Sequence, residues 1–142
     1  MTEAAPSAAP SGEIETDLTD WPVMVVRPPE RVTDAQMSNY LHRTKALRAA
    51  RPERHAMVID LRRNAGITPT QRKMLTDDMA APEHAAVQAR CVGVAMVFDS
   101  AFLRGILTAI FWVRKPPYPT QVFRTVAEAK TWAKALLAAP AA

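Results

Sequence analysis

Two runs of almost unbroken apolar residues, Ala56-Met57-Val58-Ile59 and the segment from Cys91 to Phe98, constrain this chain more than anything else in it. A strand with one face in water alternates apolar and polar side chains. A run that is apolar at nearly every position belongs to a strand covered on both faces, as in a parallel sheet. Parallel strands need crossover connections, and the residues between the runs supply them. Thr33-x-x-Gln36 and Thr68-Pro69-Thr70-Gln71 are capping-box patterns, in which a hydroxyl accepts an N-terminal N–H while the amide reaches back. The second also places proline at the first helical position, where its missing N–H costs nothing. Thr125-x-x-Glu128 repeats the pattern near the C-terminus.

The chain therefore reads as a hairpin followed by alternating helices and strands. Strands are predicted over 13–15 and 21–26, with a turn at 17–20. A helix starts at Thr33 and ends before Pro52, with Met37, Tyr40, Leu41, Thr44 and Leu47 on one face. Strand 55–61 follows, then a helix capped by Thr68 and broken by Pro82, a short helix over 83–90 and strand 91–98. Helix 101–113, strand 121–124 and a helix capped by Thr125 complete the order. The predicted fold class is α/β: a single ββαβαβαβα domain, mostly parallel sheet with an antiparallel N-terminal hairpin and helices packed on it. A length of 142 residues suits one domain. Residues 1–12, rich in Ala, Pro and Ser, read as a disordered tail, 13–137 as the domain and 138–142 as a flexible C-terminus.

The residue inventory narrows the chemistry. Cys91 is the one cysteine, which excludes an internal disulfide, and at the start of a buried strand it reads as a small hydrophobe rather than a nucleophile. His42, His55 and His84 form no HxH or HExxH pattern, and four glycines cannot build a phosphate-cradling loop. No metal or cofactor is expected. Asp60 and Asp99 end strands on the C-terminal edge of the sheet, where α/β folds place their sites. Carboxylates there more often tie loop N–H groups, so the chain is not expected to be an enzyme, a site near Asp60 and Asp99 being the exception.

No apolar run reaches about 18 residues, so no membrane span is expected. The N-terminus lacks a basic and then apolar leader, and the expected location is cytoplasmic. Net charge is +4, from 18 Lys+Arg against 14 Asp+Glu, with much of the excess between Arg43 and Lys73. The aromatic residues are not interleaved with those basic ones, which argues against nucleic acid as a partner.

The most apolar helix carries the functional expectation. Phe102, Ile106 and Ile110 form one row, and Leu103, Leu107 and Phe111 a second about 100° further round. A sheet covers one such row. Trp112, Val113, Pro117 and Tyr118 extend the apolar surface, with Arg104, Arg114 and Lys115 at its rim. Either this is a partner surface or the last helix and the 114–119 loop fold over it and make it core. The first reading assigns interaction roles to Leu103, Leu107, Phe111, Trp112, Arg114 and Tyr118.

Three stretches carry a likeness to a known family: Trp21-Pro22-Val23-Met24-Val25-Val26; the strand exit Val58-Ile59-Asp60-Leu61-Arg62; and the C-terminal half. In the last, Gly93–Asp99 leads into Leu103-Arg104-Gly105, then Pro119-Thr120-Gln121-Val122-Phe123-Arg124-Thr125, then Glu128-Ala129-x-x-Trp132. Over residues 13–137 the chain resembles the STAS/SpoIIAA-like superfamily, especially its bacterial STAS/Sec14-like branch. The resemblance implies a non-enzymatic regulatory module that binds a protein partner or itself as a homodimer. Counting from Asp60-Leu61, the phospho-acceptor position of the superfamily's anti-sigma-factor antagonists falls on Thr70, though only the hydroxyl of that motif is kept. The Sec14-like branch implies an alternative, a binder of an apolar ligand or an acidic membrane surface. Arg62/Arg63 and Arg114/Lys115 would then meet a lipid head group.

Overall fold

The structure is a computed structural model, described over residues 13–113 and 118–140 apart from the Phe111 side chain. Its strands are β1 (Glu15–Asp17), β2 (Val23–Arg27), β3 (His55–Asp60), β4 (Cys91–Val97) and β5 (Thr120–Phe123). The helices are α1 (Asp34–Ala49), α2 (Pro69–Ala80), α3 (Ala85–Ala89), α4 (Ala101–Val113) and α5 (Val126–Ala138). The sheet order is β1-β2-β3-β4-β5, with β1 antiparallel to β2 and the other neighbours parallel. This is the predicted α/β architecture, and the two apolar runs are its central strands.

The differences from expectation have local causes. The second strand starts at Val23 rather than Trp21. Pro22 has no N–H to give a ladder, and the preceding residues make a turn instead, with Trp21 N donating to Leu18 O at 3.0 Å and Val23 N to Asp20 O at 2.9 Å. The predicted helix over 83–90 is a 3-10 turn, Pro82–His84, followed by α3. The box at Thr125 is half formed. Its oxygen accepts from Glu128 N at 3.1 Å, but the hydroxyl donates to the Glu128 carboxylate at 3.2 Å in place of the reciprocal backbone bond.

The chain divides into two compact units. Among the described residues the first comprises 13–16, Arg27–Pro52 and Arg63–Ala89, and so holds α1, α2 and α3. Both of its capping boxes are complete: Thr33 Oγ1 accepts from Gln36 N at 3.1 Å and Thr68 Oγ1 from Gln71 N at 3.0 Å, each with the return bond. Gln71 also donates to Val32 O at 2.7 Å and Asp34 Oδ1 at 3.1 Å, which ties the start of α2 to the start of α1. α1 buries Met37, Tyr40, Thr44 and Arg48, while Leu41 and Leu47 stay half-buried.

The second unit, Asp17–Val26, Glu53–Arg62 and Arg90 onward, holds most of the sheet with α4 and α5. Its core joins Val23, Val25, Ala56, Val58, Ala95 and Val97 to Ala129 and Ala133 of α5. Small residues at the contact bring the helix close to the strands, where dense packing maximises dispersion contacts. Gly93 shows how close: a Cβ there would lie 2.7 Å from Leu136 Cδ1, 3.0 Å from the Trp132 ring and 3.2 Å from Pro119 O. Trp132 in turn tilts against Phe123 with ring centroids 5.5 Å apart. α5 is also pinned by Lys130, whose ammonium bonds the Asp20 carboxylate and holds that carboxyl below its usual range, and by Arg54 donating to Ala139 O at 3.3 Å.

Candidate docking helix

β4 runs out at Val97, and the chain turns through Phe98 and Asp99 into α4. Ser100 caps the helix by accepting from Leu103 N at 3.2 Å. Arg104 reaches back across the turn, its Nη1 donating to Phe98 O at 2.7 Å and Asp99 O at 2.9 Å. The single charged side chain of α4 is thus committed to the loop carbonyls, and Arg104 is a clamp for the turn rather than a rim charge. The sequence contains the signal for this: Arg104, Leu107 and Phe111 stand at i, i+3 and i+7, on one face of the helix. Along that face Leu107 is half-buried.

The rest of α4 faces outward. Phe102 is 76% exposed, Trp112 82% and Val113 90%, while Leu103, Ile106 and Ile110 lie between 41% and 49%. Helical spacing puts Phe102, Ile106, Ile110 and Val113 in one stripe, with Gly105 and Ala109 along its edge. Water in contact with that much apolar surface is unfavourable by roughly 25 cal/mol per Å², so the stripe is a place where something else gains by binding. Of the residues assigned interaction roles, Leu103 and Trp112 are exposed, and Leu107 and Tyr118 are half-buried. The Phe111 side chain and Arg114 lie outside the described residues.

The second candidate lies at the exit of β3. Asp60 is buried, and Arg62 surrounds its carboxylate: Arg62 Nε donates to Oδ1 at 2.8 Å, Nη2 to Oδ2 at 2.7 Å and the Arg62 backbone N to Oδ1 at 3.2 Å. The bond to Asp60 raises the Arg62 guanidinium above its ordinary value. Charge-assisted bonds of this length are among the stronger hydrogen bonds, and here they fix the shape of the loop. Asp99 is exposed. Among the described residues no three His, Cys, Asp or Glu gather where they could hold a metal ion. No helix of the described residues is long and apolar enough to cross a membrane.

No protein-family model matches this chain, and no curated protein matches it by sequence. Its backbone does match a solved structure, an uncharacterised protein of the DUF3478 family with a SpoIIAA-like fold from Shewanella loihica PV-4. The match has a TM-score of 0.63 at 13% identity and covers 91% of this chain and 99% of that one.

The fold is SpoIIAA-like.

At 13% identity the likeness concerns the backbone path and says nothing about individual side chains. Within this SpoIIAA-like fold, Thr70 stands exposed in the first turn of α2, inside the complete box that Thr68 and Gln71 close. A shallow groove of about 410 Å³ lies elsewhere in the second unit, lined by Thr19, Asp20, Trp21, Pro22, Val23, Lys134 and Leu137. Its volume is within the small-molecule range, but it is open, and Asp20 and Lys134 make it a poor seat for an acyl chain.

Proposed function

We propose that this chain is a non-enzymatic interaction module that docks a protein partner through the outward stripe of α4. The observation that carries the reading is the exposure of Phe102, Ile106, Ile110 and Trp112 on a helix whose one charge is turned into the adjoining loop. Exposed apolar patches of this extent on a folded chain mark interaction surfaces; aromatic residues such as Phe102 are enriched in them, and tryptophans such as Trp112 are usual energetic anchors. In this reading Asp60 is a loop-shaping residue, its carboxylate engaged by Arg62 at 2.7 Å.

Binding of an acidic membrane surface is the weaker reading. Such a surface rewards basic side chains on the same face as the apolar ones, and along α4 the only basic group points away from the stripe.

The test is a double variant, Phe102→Glu with Trp112→Glu, compared with the wild-type chain by far-ultraviolet circular dichroism, light scattering and binding of an apolar fluorescent dye. The docking reading predicts an unchanged spectrum together with loss of association or of dye binding. A variant that unfolds would make these residues core and end the reading.

A further inference from the structure

We propose that the groove between the β1–β2 turn and the last turns of α5 binds a small aromatic carboxylate, its ring laid against Trp21 and its carboxylate on Lys134. The groove is lined entirely by residues of the second unit, none of them from α4. Its volume of about 410 Å³ suits a compact molecule with a fused ring.

The platform comes first. Trp21 is half-buried, yet its ring is held at two points. The indole N–H donates to Glu53 Oε1 at 2.9 Å, and the ring stacks on His55 with centroids 5.4 Å apart and planes 20° from parallel. His55 is fully buried, so the stacked face of the indole is the inner one and the opposite face is turned outward. Pro22 and Leu137 line the groove beside it. A large ring that is fixed in place without being buried needs no further ordering when a ligand arrives. Flat aromatic groups stack offset on such a ring, which a flexible acyl chain does not.

The charges select the other end of the ligand. Lys130, Lys134 and Leu137 stand at i, i+4 and i+7 along one face of α5. Lys130 bonds the Asp20 carboxylate, and Glu53 is engaged by the Trp21 N–H, so both carboxylates near the platform already have a partner. Lys134 lines the groove and is exposed, and Asp20 feels its charge. No carboxylate of the described residues forms an ion pair with it. Its ammonium is therefore the charge left to meet a ligand, and it stands beside an apolar platform. That combination complements a molecule with a flat apolar body and a single negative charge.

The test is a titration of the isotope-labelled full chain with naphthylacetate and, separately, with its neutral amide, read from the backbone and indole N–H magnetic resonances. The expected result is a saturable shift centred on the Trp21 indole N–H, with a dissociation constant on the order of 1 mM, as a small ligand in an open groove gives. The amide should bind roughly threefold to fivefold more weakly, the range of one exposed ion pair. In Lys134→Met the acid should weaken until it matches the amide, while the spectrum away from the groove stays that of the wild type. The proposal is overturned by the absence of a saturable shift at Trp21, or by a response centred on α4 instead. Equal affinities of acid and amide, or an acid affinity unchanged by Lys134→Met, overturn it as well. None of these outcomes bears on the docking reading of α4, which its own double variant tests.

Discussion

α4 and α5 are each 13 residues long, lie in the same compact unit and flank β5 in the chain, yet they meet opposite environments. α4 carries eight large apolar residues, Phe102, Leu103, Ile106, Leu107, Ile110, Phe111, Trp112 and Val113, and leaves most of those described exposed. α5 is the less apolar helix, interrupted by Glu128, Lys130 and Lys134, yet it buries Ala129 and Ala133 completely against the strands. What decides burial here is the fit of small groups at the contact, Ala129 and Ala133 clustered with Ala56 and Ala95, and Gly93 beneath Leu136 and Trp132, rather than the total apolar content of the helix. Surplus hydrophobicity that the chain's own sheet does not cover is then available to a partner.

Matched substitutions on the two helices break or sharpen this contrast, each measured by equilibrium urea unfolding at concentrations low enough for single protomers. The largest difference is expected between Ala133→Asp and Ala109→Asp. At position 133 a carboxylate enters a dry contact without a partner, and the loss is about 3–5 kcal/mol or outright unfolding. At exposed position 109 the same change costs about 1 kcal/mol or less, mostly through helix propensity. Equal losses at the two positions would erase the distinction.

A smaller effect, but of opposite sign, separates the two glycines. Gly93→Ala pushes a methyl group into Leu136, Trp132 and the Pro119 carbonyl and should destabilise by about 1–3 kcal/mol. Gly105→Ala adds its methyl to open space in a helix and should stabilise the protomer by up to about 1 kcal/mol. If both alanines destabilise, something in the folded protomer already covers α4.

Much of the fold is legible in the sequence because its strongest signals are local. The Thr33 and Thr68 boxes, the Pro82 break and the apolar runs of β3 and β4 each state their element within a few residues. Boundaries shifted where a single atom decides them, as at Pro22, whose missing N–H delays β2 by two residues. The stripe on α4 was visible as an excess, but periodicity alone leaves open which row the sheet takes. That choice depends on Arg104 reaching the Phe98 and Asp99 carbonyls, a contact between a side chain and a loop whose shape exists only in the folded state. Likewise the spacing of Asp60 and Arg62 does not state that the guanidinium folds back onto the carboxylate two residues before it.

The central claim, that the α4 stripe lies outside the protomer's own core, is tested most directly by the stability of Ile106→Glu. Ile106 stands at the middle of the stripe, where a buried isoleucine and an exposed one respond very differently to a charge. Urea unfolding of this variant and of the wild type, both as single protomers, should give free energies within about 1 kcal/mol of each other, as for other surface changes. A loss of about 3 kcal/mol or more would place Ile106 in the core and contradict the account.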